Sequence, residues 1–262
     1  MLCECNKNEL LEIVNYITNN YVFHDIVLTN NKNLTILLKG KDYVLLKLKT
    51  PYNKIQLEDV LNFNYPINIA YNNKIKWINL WSEHIDYIEY QIHELLYKYP
   101  AISKYIYYYI GLAENAIELL KTINNINNYE YIEHKRISID MTLVDLYNPI
   151  TLVIDSRVRD ISEYYKSLFF IEDIATDDLI SDILNFIKEL NDTEIKLFFA
   201  RMMYPTYFFD LYDRIIGYEE DENIIYKVIN KSCEYEVLLK KVYEGIKKAT
   251  HIENIEWLNQ LH

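Results

Sequence analysis

Glycine and proline are scarce in this sequence, with four and five residues among 262. These residue types mark the turns between short strands, so their scarcity favours helices joined by short connections over a many-stranded sheet protein. Half of the residues are apolar, which is enough for a substantial core. The length suits one large domain or two small lobes, at roughly 100–200 residues per domain.

Cysteines and long apolar runs are also rare. Cys3, Cys5 and Cys233 are odd in number and lack framework spacing, which argues against a secreted disulfide scaffold. No histidine near Cys3 and Cys5 completes a metal-ligand set, so we expect two reduced thiols there. No apolar run reaches the ~18–20 residues that cross a bilayer, and the N-terminus lacks the segments of a signal peptide. We therefore expect a cytoplasmic protein without a membrane span.

Positive charge is in deficit, and the formal net charge is −12. A strongly acidic chain repels phosphate backbones, and no Lys/Arg cluster offsets that repulsion. Nucleic acid is therefore not an expected partner. The abundance of Tyr, Ile, Asn and Lys reflects AT-rich codons and is typical of a low-GC, Firmicutes-like genome.

Hydrophobic periodicity separates a short region of strands from a longer region of helices. After a helical pattern over 8–20, short alternating runs predict an antiparallel meander over 21–28, 34–39 and 43–49. From residue 77 onward the spacing is mostly helical. The exceptions are strand-like pieces around 137–146 and 150–155.

These patterns predict an α+β fold with a reduced N-terminal β-lobe over 1–76 and a mostly helical C-lobe over 77–262. The Asn-rich stretch 123–129 is the best linker candidate. Within the C-lobe, Asn191 and Glu194 are spaced as a capping box. Gly217 is placed to end a helix.

Three polar residues are candidate functional residues, although each also fits a structural role when it is considered alone. Asp155 ends the apolar run 150–155, where burial without a partner is costly, yet a strand-terminating Asp often caps a turn. Asp160 lies in the charge run 157–166, which resembles a solvated helix start with i,i+4 pairs. His134 leads a loop, but a lone histidine is more often a hydrogen-bonded structural residue.

Lys47 lies on the third predicted strand, where kinase-like folds keep a lysine that pairs with nucleotide phosphates. Glu58, on the following predicted helix, is its candidate partner in a nucleotide site. Lys49 is equally well placed, and an ordinary exposed strand lysine is the alternative to both.

Several short stretches occur in the order found in one known family: Tyr108–Ala116, His134–Arg136, Asp145–Pro149, Val153–Asp155, Arg159–Ser167, Arg201–Tyr212 and Glu256–Leu258. On these stretches the sequence resembles the spore-coat kinase-like family, the CotS/YutH group of the aminoglycoside and choline kinase-like phosphotransferases. The resemblance covers about residues 77–258 and implies a protein-kinase-like two-lobe fold. The N-terminal lobe matches in outline and is short.

Active members of that superfamily carry a catalytic loop of the form H-x-D-x-x-x-x-N. Its Asp accepts the proton of the acceptor hydroxyl, its Asn holds magnesium, and a later Asp bridges metal and phosphates. The resemblance places His134 on the loop histidine and Arg136 on the catalytic Asp. An arginine cannot accept a proton.

The same comparison implies roles for four other residues. The metal-binding Asn falls at or near Met141, which cannot ligate magnesium, and the adjacent Asp140 is the stand-in after a one-residue slip. Asp155 matches the metal-binding Asp. Asp160 matches the Asp that braces the catalytic loop through hydrogen bonds.

The N-terminal lobe also lacks a glycine-rich phosphate loop, since Gly40 is its only glycine. Without close backbone approach we expect ATP and magnesium to bind weakly or not at all. The resulting hypothesis is a pseudokinase that binds coat or sporulation proteins and is associated with the spore.

Two alternatives come from other functional classes, and the oligomeric state stays open under all three. One is an active ATP- and magnesium-dependent small-molecule phosphotransferase that uses Asp140 or Asp145 as its base. The other is a helical protein-interaction module in which Tyr105–Tyr109 form contact surface, although helical core is the more frequent role of such a stretch.

Overall fold

The computed structural model describes residues 2–17, 24–26, 35–48, 53–63, 65–70, 73–95, 97–123, 129–172 and 174–260. Its strands are β1 (Leu2–Glu4), β2 (His24–Ile26), β3 (Ile36–Leu38), β4 (Lys41–Leu48), β5 (Tyr65–Ala70), β6 (Tyr129–His134) and β7 (Leu152–Asp155). Its helices are α1 (Lys7–Ile17), α2 (Leu57–Asn62), α3 (Asn73–Leu95), α4 (Pro100–Lys121), α5 (Leu143–Leu146), α6 (Val158–Ile171), α7 (Thr176–Ile187), α8 (Asp192–Met203), α9 (Thr206–Ile216), α10 (Tyr226–Ile229), α11 (Ser232–Ala249) and α12 (Glu256–Gln260). The predicted α+β class, with small antiparallel sheets and a mostly helical remainder, is confirmed. None of these helices is both long and apolar enough to cross a membrane.

The first sheet is built around β4, which pairs antiparallel with β1, β2 and β3. Lys39 and Gly40 connect β3 to β4 with φ angles of 48° and 81°, the left-handed backbone that a two-residue type I′ turn requires. Val44 and Leu46 are buried whereas Leu45 is exposed, as alternation along a strand demands. The predicted antiparallel strands are confirmed where the structure describes them, but their predicted meander order is wrong, because β2 pairs with β4 and not with β3.

A small apolar cluster joins the first sheet to α1 and to the segment before β7. The cluster consists of buried and partly buried side chains that pack together around β4: Cys3, Cys5, Leu10, Val14, Val44, Leu46 and Ile150. Helix α1 also contacts β7 directly. The cluster therefore fixes the position of β7, the strand that ends at Asp155.

The second sheet has the order β5–β6–β7, with antiparallel pairing throughout. The strand predicted at 150–155 is confirmed as β7, but the strand predicted around 137–146 is wrong. That stretch holds a loop and the one-turn helix α5, and β6 precedes it. The cause is local, because Thr142 and Asp145 form a capping box that starts α5.

The C-terminal helices pack through apolar and aromatic side chains. Helix α4 packs against α3 and α8, and α7 packs against α11. Tyr109 is buried and stacks on Phe208, with 3.7 Å between ring centroids, whereas Tyr107 is exposed. The tyrosine-rich stretch is thus divided between core and surface.

The helix-end signals in this region match the structure. Asn191 and Glu194 form the predicted capping box at the start of α8. Gly217 follows α9 as its C-cap. Both signals depend on residue types within three positions of the helix end, which explains why the sequence alone predicts them.

Contacts divide the chain into two compact units. The first joins Met1–Ala70 with Asn128–Tyr164, and the second joins Tyr71–Asn127 with Tyr165–His262. The strands that end at His134 and Asp155 belong to the same unit as the N-terminal sheet. The lobe boundary between residues 76 and 77 stays a prediction, and most of the predicted linker 123–129 lies outside the described residues.

Candidate functional site

Three elements, β6, β7 and α6, bring buried charged side chains into one network of contacts. β6 ends at His134, β7 ends at Asp155, and Asp160 lies in the first turn of α6. His134 and Asp155 are 0% exposed and Asp160 is 4% exposed. Buried charges are costly unless they are paired and hydrogen-bonded, so the partners of these groups determine what the site can do.

His134 is held between two hydrogen-bond acceptors. Its Nδ1 lies 2.5 Å from Oδ2 of Asp160, and its Nε2 lies 2.6 Å from the carbonyl oxygen of Leu146. A neutral imidazole has one N–H and can donate only one of these bonds, whereas an imidazolium donates both. The geometry therefore favours a protonated His134, which is unable to act as a general base.

Asp160 holds the end of β6 through a second bond. The backbone N–H of His134 donates to Oδ1 of Asp160 at 2.9 Å, so one carboxylate binds both the backbone and the ring of the same residue. The backbone N–H of Asp160 in turn donates to Oε2 of Glu133 at 2.9 Å. These bonds tie the first turn of α6 to β6.

The electrostatics of this cluster agree with its geometry. Burial by itself lowers the pKa of His134. The charge and hydrogen bond of Asp160 and the hydrogen bond to the Leu146 carbonyl raise this pKa by more than burial lowers it, so the pKa is above its ordinary value. Burial and the charge of Asp160 raise the pKa of Glu133 well above its usual range. A protonated Glu133 and a protonated His134 would limit the net charge buried here.

Asp155 is engaged by two donors at the end of β7. Its Oδ2 lies 2.5 Å from Nη1 of Arg159, and its Oδ1 accepts the backbone N–H of Ser156 at 2.8 Å. The Arg159 guanidinium also donates from Nε to the His134 carbonyl at 2.6 Å. Its Nη2 donates to the Lys135 carbonyl at 2.9 Å.

The remaining loop residues have partners of their own. Arg136 is exposed, and its Nη1 donates to the neighbouring Lys135 carbonyl. Asp140 is exposed and lies 3.8 Å from Nζ of Lys54. Asp145 accepts the backbone N–H and the hydroxyl of Thr142 at 2.9 and 2.8 Å, so its carboxylate caps α5.

The structure describes only part of the predicted nucleotide-binding pair, Lys47 and Glu58. Lys47 lies on β4 opposite Asp25 of β2, and its side chain is outside the described residues. Glu58 is exposed in the first turn of α2. A pairing of Lys47 with Glu58 stays a prediction.

Comparison with known proteins places this arrangement in a family. Residues 4–242 match the family described as "Spore coat putative kinase YutH". The chain belongs to this spore-coat kinase-like family. It is also similar to the endospore coat-associated protein YutH of Bacillus subtilis (strain 168), with 22% identity over 270 residues, which cover 89% of this chain and 79% of the relative.

The kinase-like family implies a magnesium ion, but the residues present do not fit one as they are arranged. Both oxygens of Asp155 are engaged, Oδ2 by the Arg159 guanidinium and Oδ1 by the Ser156 N–H, so a divalent cation at this carboxylate would compete with Arg159. The thioether of Met141 is a poor partner for a hard cation that prefers oxygen ligands. Among the described residues, no group of three or more His, Cys, Asp or Glu side chains is arranged to hold a metal.

Sequence reasoning missed three residues of functional or structural weight. Glu133 was not assigned, although it directly precedes the loop histidine. Arg159 is assigned only to a charge run, because its contact with Asp155 runs from α6 to the end of β7 and the i,i+4 rule for helices does not apply there. Lys166 was placed in the same run, and the expectation that the run is solvated is wrong, because Asp160, Glu163 and Lys166 are all buried.

Proposed function

We propose that this chain is a pseudokinase of the spore coat, a kinase-like protein that acts by binding coat or sporulation proteins and not by transferring phosphate. Membership of the spore-coat kinase-like family supports the setting. The similarity to an endospore coat-associated protein supports association with the spore.

The observation that carries the proposal is the bonding of His134, together with the residue that the family resemblance implies for the catalytic position. The resemblance implies that Arg136 takes the place of the proton acceptor, and an arginine cannot take a proton at ordinary pH. His134, two residues earlier, has both ring nitrogens committed to acceptors. Loss of the base alone costs roughly 10²–10⁴-fold in rate.

The other carboxylates of the loop are poor substitutes for the missing base. Asp145 accepts two hydrogen bonds from Thr142 and starts α5. Asp140 is exposed to solvent, and its Oδ1 lies 3.8 Å from Nζ of Lys54. An active phosphotransferase would have to recruit one of them.

A phosphoryl-transfer assay tests the proposal. The full chain is incubated with ATP, magnesium and a panel of aminoglycosides and small alcohols, beside an active aminoglycoside phosphotransferase as positive control. We expect no transfer above the rate without protein. Robust phosphorylation of any acceptor, abolished by Asp155→Ala in a variant that still folds, would overturn the proposal in favour of the active enzyme.

A further inference from the structure

Arg159 uses its whole guanidinium group to link the last residue of β7 to the last residue of β6 and the residue that follows it. Each of its three nitrogens donates to a different acceptor: Asp155 at 2.5 Å, the His134 carbonyl at 2.6 Å and the Lys135 carbonyl at 2.9 Å. Its side chain is 12% exposed and its carboxylate partner is 0% exposed. This is a buried multidentate contact, unlike the exposed ion pairs that contribute little to stability.

The acceptors of Arg159 are the kind of oxygen atoms that a bound cation would use. A carboxylate and two backbone carbonyls converge on one positive group, and carboxylates and backbone carbonyls are ordinary ligands of hard metal ions. A planar guanidinium satisfies the same oxygens through directed hydrogen bonds. It therefore supplies positive charge at the end of β7 without any metal.

We infer that Arg159 is an internal cation that replaces a divalent metal at Asp155, so that the ends of β6 and β7 are held together independently of magnesium. The surrounding charges agree with this role. Two buried carboxylates, Asp155 and Asp160, pair with the two positive groups, Arg159 and His134. A magnesium ion added beside Arg159 would meet a like charge in a low-dielectric site.

The test is the melting temperature of the full chain, measured with and without magnesium chloride in the absence of nucleotide. The Tm of the wild type is expected not to change with magnesium. Arg159→Ala leaves the Asp155 carboxylate buried without this partner, so its Tm should fall by roughly 6–12 °C. Magnesium should restore part of that loss, because the oxygens that Arg159 held become available to a metal.

Two further variants separate the internal cation from a general effect of the substitution. Arg159→Lys keeps a point charge and loses the fork of hydrogen bonds, so its Tm should fall less than that of Arg159→Ala and should not respond to magnesium. The double variant Arg159→Ala/Asp155→Asn should lose the magnesium response. Arg214→Ala is the matched control, because Arg214 forms an exposed pair with Glu220 at 3.4 Å and its removal should leave the Tm unchanged.

A rise in the wild-type Tm with magnesium, lost in Asp155→Asn, would overturn the inference, and this result does not require Arg159→Ala to fold. Equal Tm values for wild type and Arg159→Ala would also overturn it. The inference is independent of the proposed function: a chain that transfers phosphate with a metal held elsewhere would contradict the pseudokinase proposal and leave the role of Arg159 intact.

Discussion

The largest expected loss of stability follows replacement of His134 by alanine, which should lower the free energy of unfolding by about 3–5 kcal/mol. The substitution leaves the buried Asp160 carboxylate without its ring partner and the Leu146 carbonyl without its donor. It also removes the ring that packs on Phe63, at 4.7 Å between centroids. Urea denaturation of wild type and variant measures the difference.

His93 provides the matched control, because it is an exposed histidine in the last turn of α3. His93→Ala should change the free energy of unfolding by less than about 0.5 kcal/mol. An equal effect of the two alanine substitutions would contradict a structural role for His134.

The contribution of His134 should also depend on pH in one direction. Its pKa is raised in the folded state, so the folded chain holds the proton more tightly than the unfolded chain. The stabilisation is fully present below the unfolded pKa of about 6.5 and is lost as pH rises through the folded value. The stability gap between wild type and His134→Gln should therefore shrink toward alkaline pH, and a gap that widens would contradict the imidazolium assignment.

Replacement of Lys166 by methionine is the second large effect, with an expected loss of roughly 2–4 kcal/mol. Lys166 is 1% exposed, and its Nζ donates to the carbonyls of Arg201 and Tyr204 at 2.9 and 3.2 Å. It also donates to the Thr206 hydroxyl at 2.7 Å. Methionine fills similar volume and leaves these oxygens, at the junction of α8 and α9, without that donor.

Lys188→Met is the control for this change, since Lys188 is exposed and bonds only locally to Asn185 among the contacts described. Thermal unfolding of both variants separates the loss of a buried ammonium from the general effect of a lysine-to-methionine change. Comparable Tm values for the two variants would contradict the role assigned to Lys166.

Local signals explain which parts of the fold could be predicted from the sequence. The hairpin of β3 and β4 follows from alternation and from Gly40 at its turn, because these properties depend on neighbouring residues. The start of α8 follows from the capping box of Asn191 and Glu194 for the same reason. The family resemblance singles out His134, Asp155 and Asp160 from their order in the chain, and their functional roles stay predictions.

Tertiary context explains what could not be predicted. β6 is the middle strand of its sheet and buries both Glu130 and Glu133, so it lacks the polar–apolar alternation that marks a strand, and the strand was placed too late in the chain. The charge run wrongly predicts that Lys166 is exposed to solvent, because its acceptors are backbone carbonyls 35 and 38 residues away in the sequence. The contact of Arg159 with Asp155 decides whether a metal fits, and sequence resemblance alone could not reveal it.

We propose that the Asp155 site does not bind nucleotide through magnesium. The most direct measurement is a calorimetric titration of the full chain with ATP, with and without magnesium, on the wild type and on Asp155→Ala, with circular dichroism to verify that the variant is folded. We predict no magnesium-dependent binding to the wild type and no effect of the substitution on the titration. Saturable binding to the wild type that requires magnesium and disappears in folded Asp155→Ala would contradict the account.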